Sequence, residues 1–438
     1  MEPQVELFYI CSILLVGLIL RAIPHIRFYY PGTPDTFFFL NKIKNPEYKS
    51  EEVLYPKLYY QMLRLFVSFG DFVDGRTTNR ISILLDIITA SIIYLFVRSQ
   101  FLVEIALLTV LLFLITPSIV RQGSTLSARS FGLLLVSTSV LCVTLSFPWN
   151  WIAIVPIAMT LLAHRLSSQT LFIVFVGLSF MNLEFSLIFV VGFILANLMS
   201  KGEYIAILRA HMSTIVRYIR QKRYPNERLV GIVFTPTFFG YALYLLFFIA
   251  QSFNPTPILI GDFVIPELLS VNIHFESVMI IWASACFALL LFWVAGESYK
   301  HLALAAAPFA LLTSLLAFTH QVFLIVSIIL ILGSLVQSLY FQLRFEHIQE
   351  DLVELLKHTP MIDGEGTMFA PKKVVRAVSF YTPYRVVQIY HDVWSKEHFD
   401  KRVLEENPIL AVVEKKNRDW YSDWDEVESV GNWMLFRA

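Results

Sequence analysis

Ten apolar runs, most of them long enough to cross a bilayer, fill the first 343 residues of this 438-residue chain. A helix spanning the hydrocarbon core needs about 20 mostly apolar residues, and it must satisfy its own backbone polar groups internally. The runs lie near 5–22, 81–98, 101–117, 130–147, 149–164, 170–200, 229–252, 277–296, 302–318 and 320–342. The run 170–200 is too long for one simple span and is interrupted by Asn182 and Glu184. It reads as one long tilted helix or as two short ones, so the chain is expected to carry about 10–11 transmembrane helices.

Charge is distributed accordingly. Residues 344–438 hold 30 of the 68 charged side chains, 13 basic and 17 acidic, and the other 343 residues hold 38. Such asymmetry excludes an ordinary cytosolic enzyme, a disordered scaffold and a fibrous repeat. The expected fold class is an all-α polytopic membrane protein with a small C-terminal α/β domain. Its domains are a transmembrane module over 1–343 and the α/β domain over 344–438. The whole is expected to be integral and multi-pass in the cell membrane. Balanced charge, 34 basic against 34 acidic, leaves no footprint of a nucleic-acid partner. Cys11, Cys142 and Cys286 sit in separate apolar runs without metal-ligand spacing and read as buried, inert thiols. Val5–Leu20 lacks a basic leader and a cleavage site, and reads as a retained first span. The segment 201–228 has seven Lys/Arg against two Glu and marks a cytoplasmic loop, while the side of the C-terminal domain stays open.

The loop 23–80 is patterned. Tyr55, Leu58, Tyr59, Met62, Leu63 and Phe66 recur at three- and four-residue intervals, as on one face of a helix lying on the membrane surface. A second short helix starts at Pro34, with Thr33 as its cap, and stops at Pro46. At the other end of the chain, strands are expected at Thr367–Ala370, Arg385–Tyr390, Leu410–Glu414 and Trp433–Arg437. Helices at Glu346–Leu356, Lys372–Phe380 and Lys396–Glu406 accompany them. Gly364 and Gly366 have no nucleotide-loop spacing.

The sharpest site candidate is Asp35, one carboxylate just beyond the first span, at the start of a helix and among aromatic residues. Such a carboxylate can accept a proton from an attacking hydroxyl, or it can simply cap the helix. Spacing alone favours the cap. Within the spans, a charge costs about 2.5–3.5 kcal/mol to insert and is usually paired or functional. Arg121 and Arg129 bracket the turn between the third and fourth spans, and His164 and Arg165 end the fifth. With spans alternating from a cytoplasmic N-terminus, all four share the side of Asp35. Singly, each reads as an ordinary positive flank of a span; together they suit a phosphate, which Arg binds bidentately. Asp86 is expected to pair with Arg80 or a polar backbone neighbour. Glu184 either pairs with a base or marks a helix break. Asp262, Glu267, His274 and Glu276 read as solvated, and His320 as interfacial.

The stretch Arg21-Ala22-Ile23-Pro24, followed by Tyr30-Pro31-Gly32-Thr33-Pro34-Asp35-Thr36-Phe37-Phe38-Phe39-Leu40, resembles the first outer loop of the GT-C superfamily of multi-spanning glycosyltransferases. The likeness extends over Thr116-Pro117-Ser118, Leu126–Gly132 and Leu162–Gln169, roughly residues 5–200. It implies a polyprenyl-phosphate-linked sugar as donor, a hydroxyl on a glycan, lipid or protein as acceptor, and transfer with inversion. Asp35 would be the catalytic base, and Arg121, Arg129, His164 and Arg165 would hold the carrier phosphate. Two departures stand out. Many relatives carry a second polar residue where this chain has Phe37, Phe38 and Phe39. Only one acid stands in the motif, so no cofactor is implied and a metal site like that of the oligosaccharyltransferases is not supported. A transporter or flippase for lipid-linked sugars would show two related halves; the Asp35 loop has no counterpart in the second half, which favours the enzyme. A polysaccharide polymerase would share the same class of substrate.

Overall fold

The computed structural model describes residues 2–28, 34–44, 57–68, 75–221, 236–253, 273–291, 301, 303–319, 321–345, 349–357, 359, 366–371, 374–391 and 395–438. These residues form two compact units. The first comprises Met1–Pro24, Glu51–Leu63 and Arg80–Arg344, and the second His25–Ser50, Arg64–Asn79 and Phe345–Ala438.

The first unit is helical. Its elements are α1 (Pro3–Arg27), the start of α3 (Leu58–Ser68), α4 (Gly75–Gln100), α5 (Val103–Ile115), α6 (Pro117–Gly123), α7 (Ala128–Cys142), α8 (Ile154–Ala163), α9 (Arg165–Ser179), α10 (Leu183–Met199), α11 (Glu203–Gln221), α12 (Pro236–Phe253), α13 (Ile273–Leu291), α14 (Ala306–Thr319) and α15 (Gln321–Leu343). Helix α5 is buried on every side, with Ile105, Leu112, Phe113 and Leu114 at its heart. By contrast, the apolar windows of α1 and α15 are only 28% and 22% buried, and they turn Phe8, Leu15, Ile329 and Val336 outward. Apolar side chains facing outward suit a lipid solvent, in which exposure of Leu or Phe carries no penalty. Cys142 and Cys286 are buried as expected; Cys11 is exposed, because α1 lies on the rim of the bundle.

Among the described residues three helices are long and apolar enough to cross a membrane: Pro3–Arg27, Arg80–Gln100 and Val322–Leu343. Two bent pairs qualify as broken spans, Val103–Ile115 with Pro117–Gly123 (62°) and Leu183–Met199 with Glu203–Ala210 (110°). Six further apolar helices are shorter, at 10–17 residues. The run 170–200 resolves into α9 and α10. Asn182 caps α10 by accepting a hydrogen bond from the Glu184 backbone N–H, and Glu184 accepts from Asn150 Nδ2 (3.0 Å) and Trp151 Nε1 (2.8 Å). Glu184 therefore marks a helix start, and the partners seen are neutral donors.

The second unit contains α2 (Pro34–Lys44), α16 (Glu350–Lys357), α17 (Val375–Tyr381), α18 (Lys396–Glu406) and strands β1 (Thr367–Pro371), β2 (Arg385–Ile389), β3 (Leu410–Glu414), β4 (Asp425–Val430) and β5 (Trp433–Arg437). The sheet order is β2-β1-β3-β5-β4, with β2, β1 and β3 parallel and β5 antiparallel to both β3 and β4. β1, β3 and β5 are buried on both faces, so they read as unbroken apolar runs. Phe369, Val413 and Phe436 line one face, under Phe399 of α18 and Tyr421. Strand β4 was not expected. Its Asp425, Glu426 and Val427 are exposed, as suits a charged edge that resists pairing with another chain.

Helix α2 begins at Pro34 as expected; its cap Thr33 and its stop Pro46 lie outside the described residues. Helix α3 buries Tyr59 and Leu63 of the expected face, and Tyr59 stacks on Phe131 of α7 with ring centroids 5.8 Å apart. Its Tyr55 and the Phe66 side chain, like Asp262, Glu267 and His320, lie outside the described residues.

Candidate functional site

The most costly charges in the helical unit form one buried pair. Arg21 Nε donates to Asp86 Oδ2 at 2.8 Å, with both side chains 0% exposed. This corrects the expected partner of Asp86, which is Arg21 on α1 and not Arg80, whose position is exposed. Arg21 Nη1 also donates to the carbonyls of Gly17 (2.9 Å) and Leu114 (3.0 Å), which ties α1 to α5. Among the described residues Arg21 Nη2 has no hydrogen-bond partner, and buried Ser130 lies beside the Asp86 carboxylate. A Cβ at Gly123 would collide with Asp86 Oδ2 and Arg21 Nε, so the pair needs glycine there. Two opposite charges, each inside an otherwise apolar run, were the sequence signal for this pair.

The turn from α6 to α7 is held from two sides. Gln342 of α15 donates to the Val120 carbonyl (3.1 Å) and to Ser124 Oγ (2.8 Å), and Ser82 of α4 accepts from the Ser127 N–H (3.4 Å). Ser127 caps α7, accepting from the Arg129 N–H. His164 caps α9 in the same manner: its Nδ1 accepts from the Ser167 N–H and lies 3.0 Å from Ser167 Oγ. The two helices touch near their N-terminal ends, since a Cβ at Gly132, in the second turn of α7, would strike Ser167 Oγ in the first turn of α9 and approach His164 Cβ to 3.3 Å. Two helix N-termini, each carrying partial positive charge, therefore converge beside half-buried Arg129, half-buried Arg165 and buried His164. The structure brings these three to neighbouring helix starts. Arg121 lies in the last turn of α6 and is exposed. Deeper along α9, Thr170 Oγ1 meets His301 Nδ1 at 2.7 Å.

Asp35 lies in the other unit, in the first turn of α2; its side chain is outside the described residues. A carboxylate in a first turn is favoured by the helix dipole. Phe37, Phe38 and Phe39, which follow Asp35 closely on α2, are buried. Phe37 packs on Tyr381 of α17 with centroids 6.1 Å apart, and the Arg376 guanidinium sits 5.4 Å over the Phe38 ring. Among the described residues no three His, Cys, Asp or Glu side chains group so as to hold a metal ion.

No family model and no curated protein matches this sequence. Solved structures do. ArnT from Cupriavidus metallidurans bound to undecaprenyl phosphate matches with a TM-score of 0.62 at 9% identity, covering 100% of this chain and 98% of that one. Its apo form matches at 0.63, again at 9% identity, with 98% and 97% coverage. The Archaeoglobus fulgidus oligosaccharyltransferase in its apo form matches at 0.62 with 10% identity, over 95% of this chain and 71% of that one. End-to-end likeness at such low identity establishes architecture alone: the chain has the fold seen in ArnT and in the oligosaccharyltransferase.

Proposed function

We propose that this chain is a multi-pass glycosyltransferase of the cell membrane, moving a sugar from a polyprenyl-phosphate carrier to a hydroxyl on a glycan, lipid or protein. The observation that carries this reading is the match to ArnT, whose structure holds undecaprenyl phosphate, over 100% of this chain. In this reading the acceptor oxygen attacks the anomeric carbon as Asp35 takes its proton. The bond from that carbon to the phosphate oxygen breaks, and a single displacement inverts the centre. Polyprenyl phosphate leaves toward Arg129, His164 and Arg165, with Arg121 as a further cation. Support for the phosphate role comes from the paired helix starts, where N–H groups and guanidinium groups both favour an anion.

Arg129→Ala and Arg165→Ala are each expected to raise KM for a polyprenyl-phosphate sugar about 10- to 100-fold with a smaller change in kcat. Loss of one charge-assisted bond is worth about 1.5–3 kcal/mol. Initial rates across donor concentrations check this; unchanged KM in both variants removes the phosphate assignment. We further propose that no metal takes part, because the motif carries a single acid. Transfer by the purified protein is expected to survive prolonged EDTA treatment, and loss restored by Mg²⁺ or Mn²⁺ overturns that point.

A further inference from the structure

We propose that the C-terminal α/β domain positions the base-bearing helix α2, with Asn41 as the positioning residue, an inference that rests on the assignment of Asp35 as base. Helix α2 has 11 residues, too few to be stable alone in water. Its residues 36–41 and Ile43 are buried, so burial runs around the helix where a surface helix would show a single stripe. The described contacts that hold it go to α17. Asn41, 4% exposed, donates from Nδ2 to the Arg376 carbonyl at 3.0 Å. Arg376 covers Phe38, and Tyr381 packs on Phe37. Helix α17 in turn packs on β1, β2 and α16. A rigid sheet is thereby linked to the helix that carries Asp35.

The bond fixes rotation as well as position. A purely apolar contact lets a helix slide or turn, whereas a buried amide bonded to a main-chain carbonyl has one seat. Because the acceptor is main chain, only a change at Asn41 removes the bond. Asn41 lies six residues beyond Asp35, about 9 Å along the axis, so a small rotation at the seat carries to the first turn. A misplacement of about 1 Å can cost about 10²-fold in rate. Phe37 and Phe38 gain a role here: they supply the ring contacts of the seat.

The test uses the full-length protein in detergent or nanodiscs, with dolichyl- and undecaprenyl-phosphate hexoses as donors. Asn41→Ala is expected to lower kcat at least tenfold with KM for donor changed less than threefold. Amide exchange over 36–43 should accelerate while β3 and β5 stay protected. Arg376→Ala, which removes the ring contact and keeps the carbonyl, should change both readouts in the same direction by a smaller factor. Unchanged kcat with accelerated exchange overturns the inference, as does unchanged exchange in both variants. Loss of protection in β3 and β5 in both variants also overturns it, since the effect is then unfolding. Failure of the base assignment looks different: Asp35→Asn, run in parallel, keeps wild-type transfer, or the wild-type chain is inert toward every donor.

Discussion

Asp35→Asn is expected to lose about 10²–10⁴-fold in sugar transfer, the span that general-base catalysis typically supplies. The fold should survive. Asp35 lies in the first turn of α2, where replacing a carboxylate by an amide forfeits a dipole interaction of about 0.3–1 kcal/mol. Donor affinity should also survive, because the carrier phosphate is assigned to Arg129, His164 and Arg165. An acid that only stabilised the helix would leave both Asp35→Asn and Asp35→Ser near full activity. Steady-state rates on the two variants, with circular dichroism as the control for folding, separate these outcomes.

Asp86→Ala is expected to cost about 3–5 kcal/mol of stability, the usual penalty for leaving one partner of a buried ion pair uncompensated. Arg21 would keep its bonds to the Gly17 and Leu114 carbonyls but lose its only described counter-charge. The double replacement Arg21→Met with Asp86→Leu should be far milder, since two apolar groups remove both desolvation penalties together. Gly123→Ala should resemble Asp86→Ala in direction, because its methyl group intrudes on the same pair. Denaturant unfolding in micelles checks the order: Asp86→Ala least stable, the double variant closer to wild type. A double variant as unstable as the single one would deny the pair its electrostatic role.

Legibility of the fold followed the physics of each element. Apolar runs announce helices because the bilayer and the core impose the same composition. Strands β1 and β3 show as apolar bursts, since burial on both faces leaves no room for polar alternation, whereas the edge strand β2 is only partly buried. Strand β4 gives no such signal, because Asp425, Glu426 and Glu428 put charge on its outer edge; its pairing with β5 is a local hairpin turned by Gly431 and Asn432. The pairing of Arg21 with Asp86 spans 65 positions, and only packing decides which of several charges will meet. Phe37, Phe38 and Phe39 look like a loss of polarity in a motif; all three are buried, and Phe37 and Phe38 meet side chains more than 300 residues away in sequence, on α17. His164 reads as an imidazole in the phosphate cluster, and the structure adds that it caps α9 through Nδ1.

Purified wild-type protein, reconstituted in vesicles with isotopically labelled polyprenyl-phosphate sugars and hydroxyl acceptors, tests the central claim most directly. The products to follow are released polyprenyl phosphate and the glycosylated acceptor, with the anomeric configuration read by NMR. The predicted result is stoichiometric release of polyprenyl phosphate and a new glycosidic bond of inverted configuration. Movement of intact lipid-linked sugar between leaflets, with the sugar–phosphate bond unbroken, would contradict it and assign the fold to transport.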